Sequence, residues 1–396
     1  MDNQETYKAF EALRQGAENY IVRRNNAYKK EVRYFTRIEA SNYLSVDGKT
    51  VDKYVKMAGI DPNRHEDAAW LIDINEMYQV RELLPLDKRI EHKFTRPKNH
   101  KLQVIVVQNQ KGGVGKTISA ATIASGLATE FHEEFRVGVI DLDPQNTLST
   151  YYAPIVEGEE NQWLSVGDLM AGKFEMEEDE TFSNVVSESF LQTTIPNLRI
   201  LPATQDDRSL ENWFHRQLHN QSLDKPYHLL KNIIDAVENE FDIIIIDTPP
   251  SMGFATINGY FAATSVIFPM QVAENDIDAT CNYFKFIPEL WELIDDHGHT
   301  GYDFMKILLT NHKTSSSTTT LQNKLSNVFG SFIYSREFNN SEAIKECSRL
   351  VSTLFDISKS EYPGRTKSVF QKAKDNAYEV TSQVYRNIVD VWDKDN

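Results

Sequence analysis

One segment limits the folds open to this chain more than any other. The apolar run Val104–Gln108 leads into Gln110-Lys-Gly-Gly-Val-Gly-Lys-Thr117, and an alanine-rich, helix-forming stretch follows. Strand, glycine turn and helix in this order make a phosphate cradle. Glycines let backbone N–H groups converge on an anion, and the positive end of the next helix faces the same point. The usual P-loop spacing is Gly, four residues, Gly, Lys and then Ser or Thr. Gln110 stands where the first glycine belongs, whereas Gly112, Gly113, Gly115, Lys116 and Thr117 fit. In that pattern the Lys116 ammonium serves the β- and γ-phosphates, and the Thr117 hydroxyl is a ligand for magnesium.

Four more apolar runs are bounded by turns: Val137-Gly-Val-Ile-Asp, Ile243-Ile-Ile-Ile-Asp, Ser265-Val-Ile-Phe-Pro and Ile307-Leu-Leu-Thr. Such runs suit strands buried on both faces. The helical stretches between them predict a P-loop NTPase fold over residues 101–396, α/β in class, with a mostly parallel sheet flanked by helices. Asp141 and Asp143 end one run and Asp247 ends another. In a parallel sheet these ends share the edge that carries the glycine loop, where ligands bind. Acids there hold magnesium through one or two carboxylates plus phosphate oxygens. An aspartate capping the next helix is the plain alternative for any one of them. Three beside one P-loop favour the metal role. The segment Ser315–Thr320 reads as a flexible loop, and Gln371 to Trp392 as a long amphipathic helix.

The first hundred residues have a different character. They carry 18 Lys+Arg against 16 Asp+Glu, in a chain whose net charge is -16. An acidic total does not exclude DNA contacts, because exposed charges are screened beyond a Debye length of about 8–10 Å. Residues 1–33 read as a charged helix with one apolar stripe, Tyr7, Phe10, Leu13, Ala17, Tyr20 and Ile21. That stripe must bury against the same chain or a second protomer, which makes it a candidate dimerisation helix. Residues 34–100 are expected to form a mainly α, winged helix-turn-helix domain and a linker. Arg37 to Leu44 suits one helix, with Ile38, Ala40, Tyr43 and Leu44 facing inward; Ser45 to Gly48 is a turn; Lys49 to Ala58 suits a second helix with Val51, Tyr54 and Val55 inward. In a helix-turn-helix the second helix enters the major groove by its first residues, here Lys49, Thr50 and Lys53. An ordinary helical hairpin is the alternative. Residues 68–84 read as a strand and helix that complete the domain, and residues 85–102, with Pro85 and Pro97, as the linker.

No run of about 18 apolar residues exists, so no membrane span is expected. The first residues are polar and charged, without the apolar core of a signal peptide, and Cys281 and Cys347 are the only cysteines. These features point to a reducing cytoplasm.

Lys-Gly-Gly-Val-Gly-Lys-Thr, with Lys111 ahead of the glycines, resembles the deviant Walker A motif of the ParA/MinD ATPases. Asp-Leu-Asp-Pro-Gln145 resembles their second motif. Asp-Thr-Pro-Pro-Ser with the later Asn258, then Phe-Pro-Met-Gln271, resembles the third motif and the strand after it. The match runs from about residue 103 to about 350, and the N-terminal part resembles the extension of the large ParA proteins of plasmids and secondary chromosomes. The resemblance implies an ATP-bound sandwich dimer in which Lys111 reaches the partner's phosphates. It implies nucleotide contacts from Gly112, Gly113, Val114, Gly115, Lys116, Thr117 and Ile118. Thr117, Asp141 and Asp247 would serve magnesium, Asp143 would orient the attacking water, and Asn311 is the candidate adenine contact by position. It further implies slow ATP hydrolysis stimulated by a ParB-type centromere-binding protein, non-specific DNA coating by dimers or filaments, operator autorepression and a nucleoid-associated location. A basic stretch for the non-specific contact includes Arg349, Arg365, Lys367, Lys372 and Lys374. Two other readings compete. A MinD-like membrane switch ends in a basic amphipathic helix, whereas this chain ends Asp-Val-Trp-Asp-Lys-Asp-Asn. A repressor without a partition role would leave the acidic strand ends and two loop lysines unused.

Overall fold

Two sheets organise the chain, one of two strands and one of seven. The computed structural model describes residues 3–27, 30–64, 70–152, 163–313 and 315–394. The N-terminal part contains α1 (Asn3–Ala27), β1 (Tyr34–Thr36), α2 (Arg37–Leu44), α3 (Gly48–Met57), β2 (Leu71–Asp73) and α4 (Ile74–Leu83). Local chemistry sets these boundaries. Thr36 and Glu39 form a capping box at the start of α2, a reciprocal arrangement that satisfies two otherwise orphan donors. Asp47 accepts from Lys49 N and Thr50 N to start α3, and Asp73 with Glu76 repeats the box at α4. Strand β1 pairs antiparallel with β2, Phe35 opposite Ile72. The small core beneath them contains Phe35, Ala40, Leu44, Val51, Tyr54, Val55, Ile72, Met77 and Val80.

One expectation needs correction here. Ile38 is 74% exposed, not inward. It lies two residues before Ala40, and positions two apart do not share a helix face. The expected start of the next segment, Ala68 and Ala69, lies outside the described residues. On α1 the stripe residues Tyr7, Phe10, Leu13 and Tyr20 are all exposed, so the single chain leaves that face uncovered.

In the large sheet β3 (Gln103–Val107), β4 (Val137–Asp141), β6 (Leu198–Leu201), β7 (Ile243–Asp247), β8 (Ser265–Gln271) and β9 (Phe304–Thr310) run parallel, and β5 (Leu191–Gln192) is antiparallel to β6. The spatial order is β5-β6-β4-β7-β3-β8-β9. Alternate residues of β3 enter two different cores. Val104 and Val106 pack on one face, and Ile105 and Val107 on the other. That is why the run is apolar without a break: both faces are covered.

One face is covered by α5 (Lys116–Thr129), α6 (Thr147–Tyr152), α14 (Glu342–Arg349) and α15 (Lys367–Lys394). The other carries α7 (Val166–Ala171), α8 (Phe182–Ser189), α9 (Leu210–His219), α10 (Leu229–Ala236), α11 (Phe254–Ala262), α12 (Glu274–Asp296) and α13 (Ser316–Phe329). The last of these contradicts the loop expected at Ser315–Thr320. Ser315 caps α13 through Thr318 N, and the Thr319 and Thr320 hydroxyls donate to the carbonyls of Ser315 and Ser316. A Ser/Thr cluster satisfies a helix N-terminus as readily as it forms a loop.

Candidate nucleotide site

Strand register brings the predicted residues to one edge. Val107 pairs with Asp247, and Asp141 pairs with the same Asp247 on its other side. The glycine loop leaves β3 at that level and turns into α5 through Gly113 (φ +81°) and Gly115 (φ +87°). Both sit in the left-handed region, which glycine enters without the Cβ penalty. Gly115 is the N-cap of α5 and has no side chain to cap it, so the first N–H groups of that helix are left for a ligand.

The loop is held by residues that motif reading did not single out. Asn109 is fully buried; its Nδ2 donates to Pro269 O at 2.8 Å and Thr280 Oγ1 at 3.0 Å, and its Oδ1 accepts from Lys111 N at 3.0 Å. Thr310 Oγ1 donates to Val114 O at 2.7 Å. Thr248 Oγ1 donates to Val107 O and Gln108 Oε1, both at 2.8 Å, which ties the loop after Asp247 to the strand beneath the cradle. Each is a polar residue adjoining an apolar strand run, and that position is the only signal the sequence offered for them.

Electrostatics separate the three acids. Asp247 is fully buried, and neither of its carboxylate oxygens has a hydrogen-bond partner among the described residues. Burial pushes its carboxyl well above the ordinary range, and Asp141 next to it pushes the same way. Thr117 and the Lys116 ammonium favour its charge and only partly offset this. Asp141 is also buried, but its oxygens are occupied. Oδ1 accepts from Asp143 N at 3.0 Å, and Oδ2 accepts from Ser149 N and Oγ at 2.8 Å. Burial still raises its carboxyl to about 7. Asp143 is half-buried, and its Oδ1 accepts from Gln145 N at 2.9 Å. Lys116 is 7% exposed; burial lowers its ammonium pKa, with Asp247 and Asp143 opposing the shift. The open oxygens thus belong to Asp247, beside Thr117 and Lys116, while Asp141 anchors α6 through Ser149.

Beside the loop lies a cleft of ≈ 180 Å³ lined by Gly113, Val114, Gly115, Ile118, Asn311 and Asn340 among others. Asn311 adopts a left-handed backbone (φ +50°), and its Oδ1 accepts from Asn340 Nδ2. Lys111 is exposed on the loop, and its Nζ lies 3.4 Å from Asp276 Oδ1.

Comparison with known proteins agrees with this geometry. The family model described as "AAA domain" matches residues 102–295. The putative replication protein A of Sinorhizobium fredii (strain NBRC 101917 / NGR234) is 25% identical over 373 residues, 92% of this chain and 88% of that protein. The chromosome-partitioning ATPase Soj of Treponema pallidum (strain Nichols) is 33% identical over 187 residues, 46% of this chain and 58% of Soj. Relatives named as a plasmid partition protein and a chromosome-partitioning ATPase are therefore among the proteins this chain is similar to. A solved partition protein superposes with a TM-score of 0.65 at 19% identity, over 98% of this chain and 99% of its own. The fold shared with that structure therefore extends through the N-terminal part as well as the seven-stranded sheet.

The residues assigned to DNA differ in their surroundings. Lys49 and Lys53 are exposed on α3, while the Thr50 hydroxyl donates to Asp47 Oδ2 at 2.7 Å as part of the helix cap. Arg365 and Lys372 are exposed. Arg349 pairs with Glu346 at 2.8 Å, and Lys367 Nζ donates to the carbonyls of Ser360 and Tyr362. Lys374 must be withdrawn from the DNA-contacting set. Its side chain is only 12% exposed and pairs with Glu130 at 3.0 Å, and burial lowers its pKa to about 8. Lys374 lies four residues after Phe370 and three before Ala377, on the buried face of α15. A count of charges along the sequence does not register helix faces.

Proposed function

We propose that this chain is an ATP-dependent DNA partition ATPase whose nucleotide-bound form is a sandwich dimer. The observation that carries the reading is the buried Asp247 carboxylate, with both oxygens open, beside Thr117 and Lys116 at the cradle. An uncompensated buried carboxylate is costly unless it is protonated or meets a cation. Thr117 and Asp247 fit a magnesium ion that also takes phosphate oxygens. Such an ion, when bound, neutralises charge on the β- and γ-phosphates.

The chain's own residues supply the rest. Backbone N–H groups of residues 112–117 bind the phosphate oxygens, with Lys116 as the fixed cation. Asn311 and Ile118 line the adjoining cleft, which suits the base and ribose. Asp143 is held by the Asp141–Asp143 N bond and orients a water for attack on the γ-phosphorus. The attacking oxygen forms its bond as the bond to the β-γ bridging oxygen breaks, and ADP leaves with that oxygen. Asp143 accepts the water proton as inorganic phosphate forms. Lys111 reaches the second protomer's phosphates, so the dimer persists only while the γ-phosphate remains. Phosphoryl transfer is accelerated mainly by such positioning and charge stabilisation.

In this reading hydrolysis is slow alone and is stimulated by a ParB-type partner. The dimer coats DNA through exposed basic residues such as Arg365 and Lys372, and Lys49 and Lys53 reach operator bases for autorepression. Binding of a fluorescent ATP analogue with and without magnesium tests the core of the proposal. Magnesium-dependent binding that weakens in Asp247→Asn is expected. Failure of the chain to bind any adenine nucleotide contradicts it.

A further inference from the structure

One buried side chain at the base of the cradle joins two loops. Gln108 follows the apolar run Val104–Val107 of β3 and is fully buried. An aliphatic residue would continue that run, whereas a buried primary amide is costly unless its polar atoms are bonded. Here both polar atoms are. Gln108 Oε1 accepts from Asn109 N at 2.7 Å and from Thr248 Oγ1 at 2.8 Å, and Gln108 Nε2 donates to Ser251 O at 3.3 Å. Asn109 opens the glycine loop, while Thr248 and Ser251 belong to the loop that follows Asp247. The amide therefore stitches one loop to the other.

The second loop has few anchors of its own. Pro249 and Pro250 have no N–H to donate, and Pro250 and Ser251 are exposed. Its far end is fixed from another helix. Glu211 of α9 accepts from Phe254 N at 3.1 Å and Ala255 N at 3.2 Å, at the start of α11. Its near end is fixed by Thr248, whose hydroxyl is shared between Val107 O and Gln108 Oε1. Thr248 is the residue next to Asp247, whose two buried oxygens have no hydrogen-bond partner among the described residues. A metal ligand must be held to within about 0.5 Å by the groups behind it. Losing such a group weakens a metal site by about 10- to 100-fold.

We propose that Gln108 is a positioning residue for the metal edge of the cradle: its amide holds Thr248 and Ser251 so that the Asp247 carboxylate stays beside Thr117. The proposal rests on the nucleotide site assigned above and adds to it a residue outside the glycine-loop pattern. Gln108 acts through Thr248 and the loop, not on the nucleotide.

Titration calorimetry of the full chain with ADP tests this, in EDTA and with saturating Mn2+ as the probe ion. The proteins are the wild type, Gln108→Met, Thr248→Val and the double variant. Methionine keeps the length of glutamine without its amide, and valine keeps the shape of threonine without its hydroxyl. In the wild type, Mn2+ is expected to tighten ADP binding. In Gln108→Met the affinity in EDTA should stay within about twofold while the affinity with Mn2+ falls about tenfold, the lower end for such supports. Thr248→Val should show the same split, and it carries the test if Gln108→Met fails to fold. The double variant should lose little more than the larger single loss, because both changes remove one shared interaction. Losses that multiply in the double variant overturn the link between the two residues. Equal weakening with and without Mn2+ also overturns the proposal, since Gln108 would then support the cradle as a whole. A Mn2+ effect unchanged in both single variants overturns the positioning role alone. A wild type that binds ADP equally well with and without Mn2+ overturns the metal site itself.

Discussion

The chemistry of this chain is concentrated in a few buried ionisable groups. Asp247 and Asp141 occupy adjacent strand positions, and both titrate above their ordinary range because burial disfavours the charged form. Between the ordinary value of 3.8 and about 7 for Asp141, the folded chain binds more protons than the unfolded chain. Stability contributed by these groups is therefore present at low pH and is lost as pH rises through that window. Without nucleotide, Asp247→Asn should raise the melting temperature at pH 7 and raise it less at pH 5. Calorimetry at the two pH values checks this, and an equal or opposite shift at pH 7 would contradict the burial argument. Lys116→Ala should weaken nucleotide binding roughly 10- to 100-fold, the scale of losing a charge-assisted hydrogen bond. Titration calorimetry with ADP and magnesium reads it directly.

Helix α5 shows what one element contributes. It begins on Gly115, and near its end, at Gly126, it packs closely against Phe355 and α15. A Cβ there would lie 2.9 Å from both Phe355 Cε2 and Thr381 Oγ1. Gly126→Ala should destabilise the fold by about 1–3 kcal/mol, as other overpacked cores do; a denaturant midpoint unchanged from wild type would count against the contact. Much of this level was legible in the sequence. The five apolar runs became the parallel strands β3, β4, β7, β8 and β9, because burial on both faces leaves an unbroken apolar signature. The three acids reached one edge because register follows from that arrangement. Strands β1, β5 and β6 were not legible, as two to four residues are too few to show a period. Nor were Asn109, Thr280 and Thr310, whose roles depend on which strands become neighbours. Lys374 was misassigned for a related reason, since its environment is set by the packing of α15 on α5.

At the scale of the molecule, the N-terminal unit and the helix that starts at the glycine loop share one bonded interface. The N-terminal unit is not hung on a free linker. Arg33, Tyr43, Tyr78 and Arg81 all bond to residues around the end of α5. Deleting residues 1–100 removes these partners and leaves the last carbonyls of α5 and the Glu130 carboxylate without them. The truncated chain should keep nucleotide binding, lose operator binding and melt several degrees lower, given about 1 kcal/mol per lost hydrogen bond. An unchanged melting temperature would show that the interface contributes nothing. Lys111 belongs to this scale too. In the single chain its exposed ammonium lies 3.4 Å from Asp276 Oδ1. Sedimentation velocity of the full chain with ATP and magnesium, or with ADP and magnesium, tests the dimer most directly. Wild type should sediment as a dimer with ATP and as a smaller species with ADP, and Lys111→Ala should remain the smaller species in both. An ATP-dependent dimer that survives in Lys111→Ala would contradict the account.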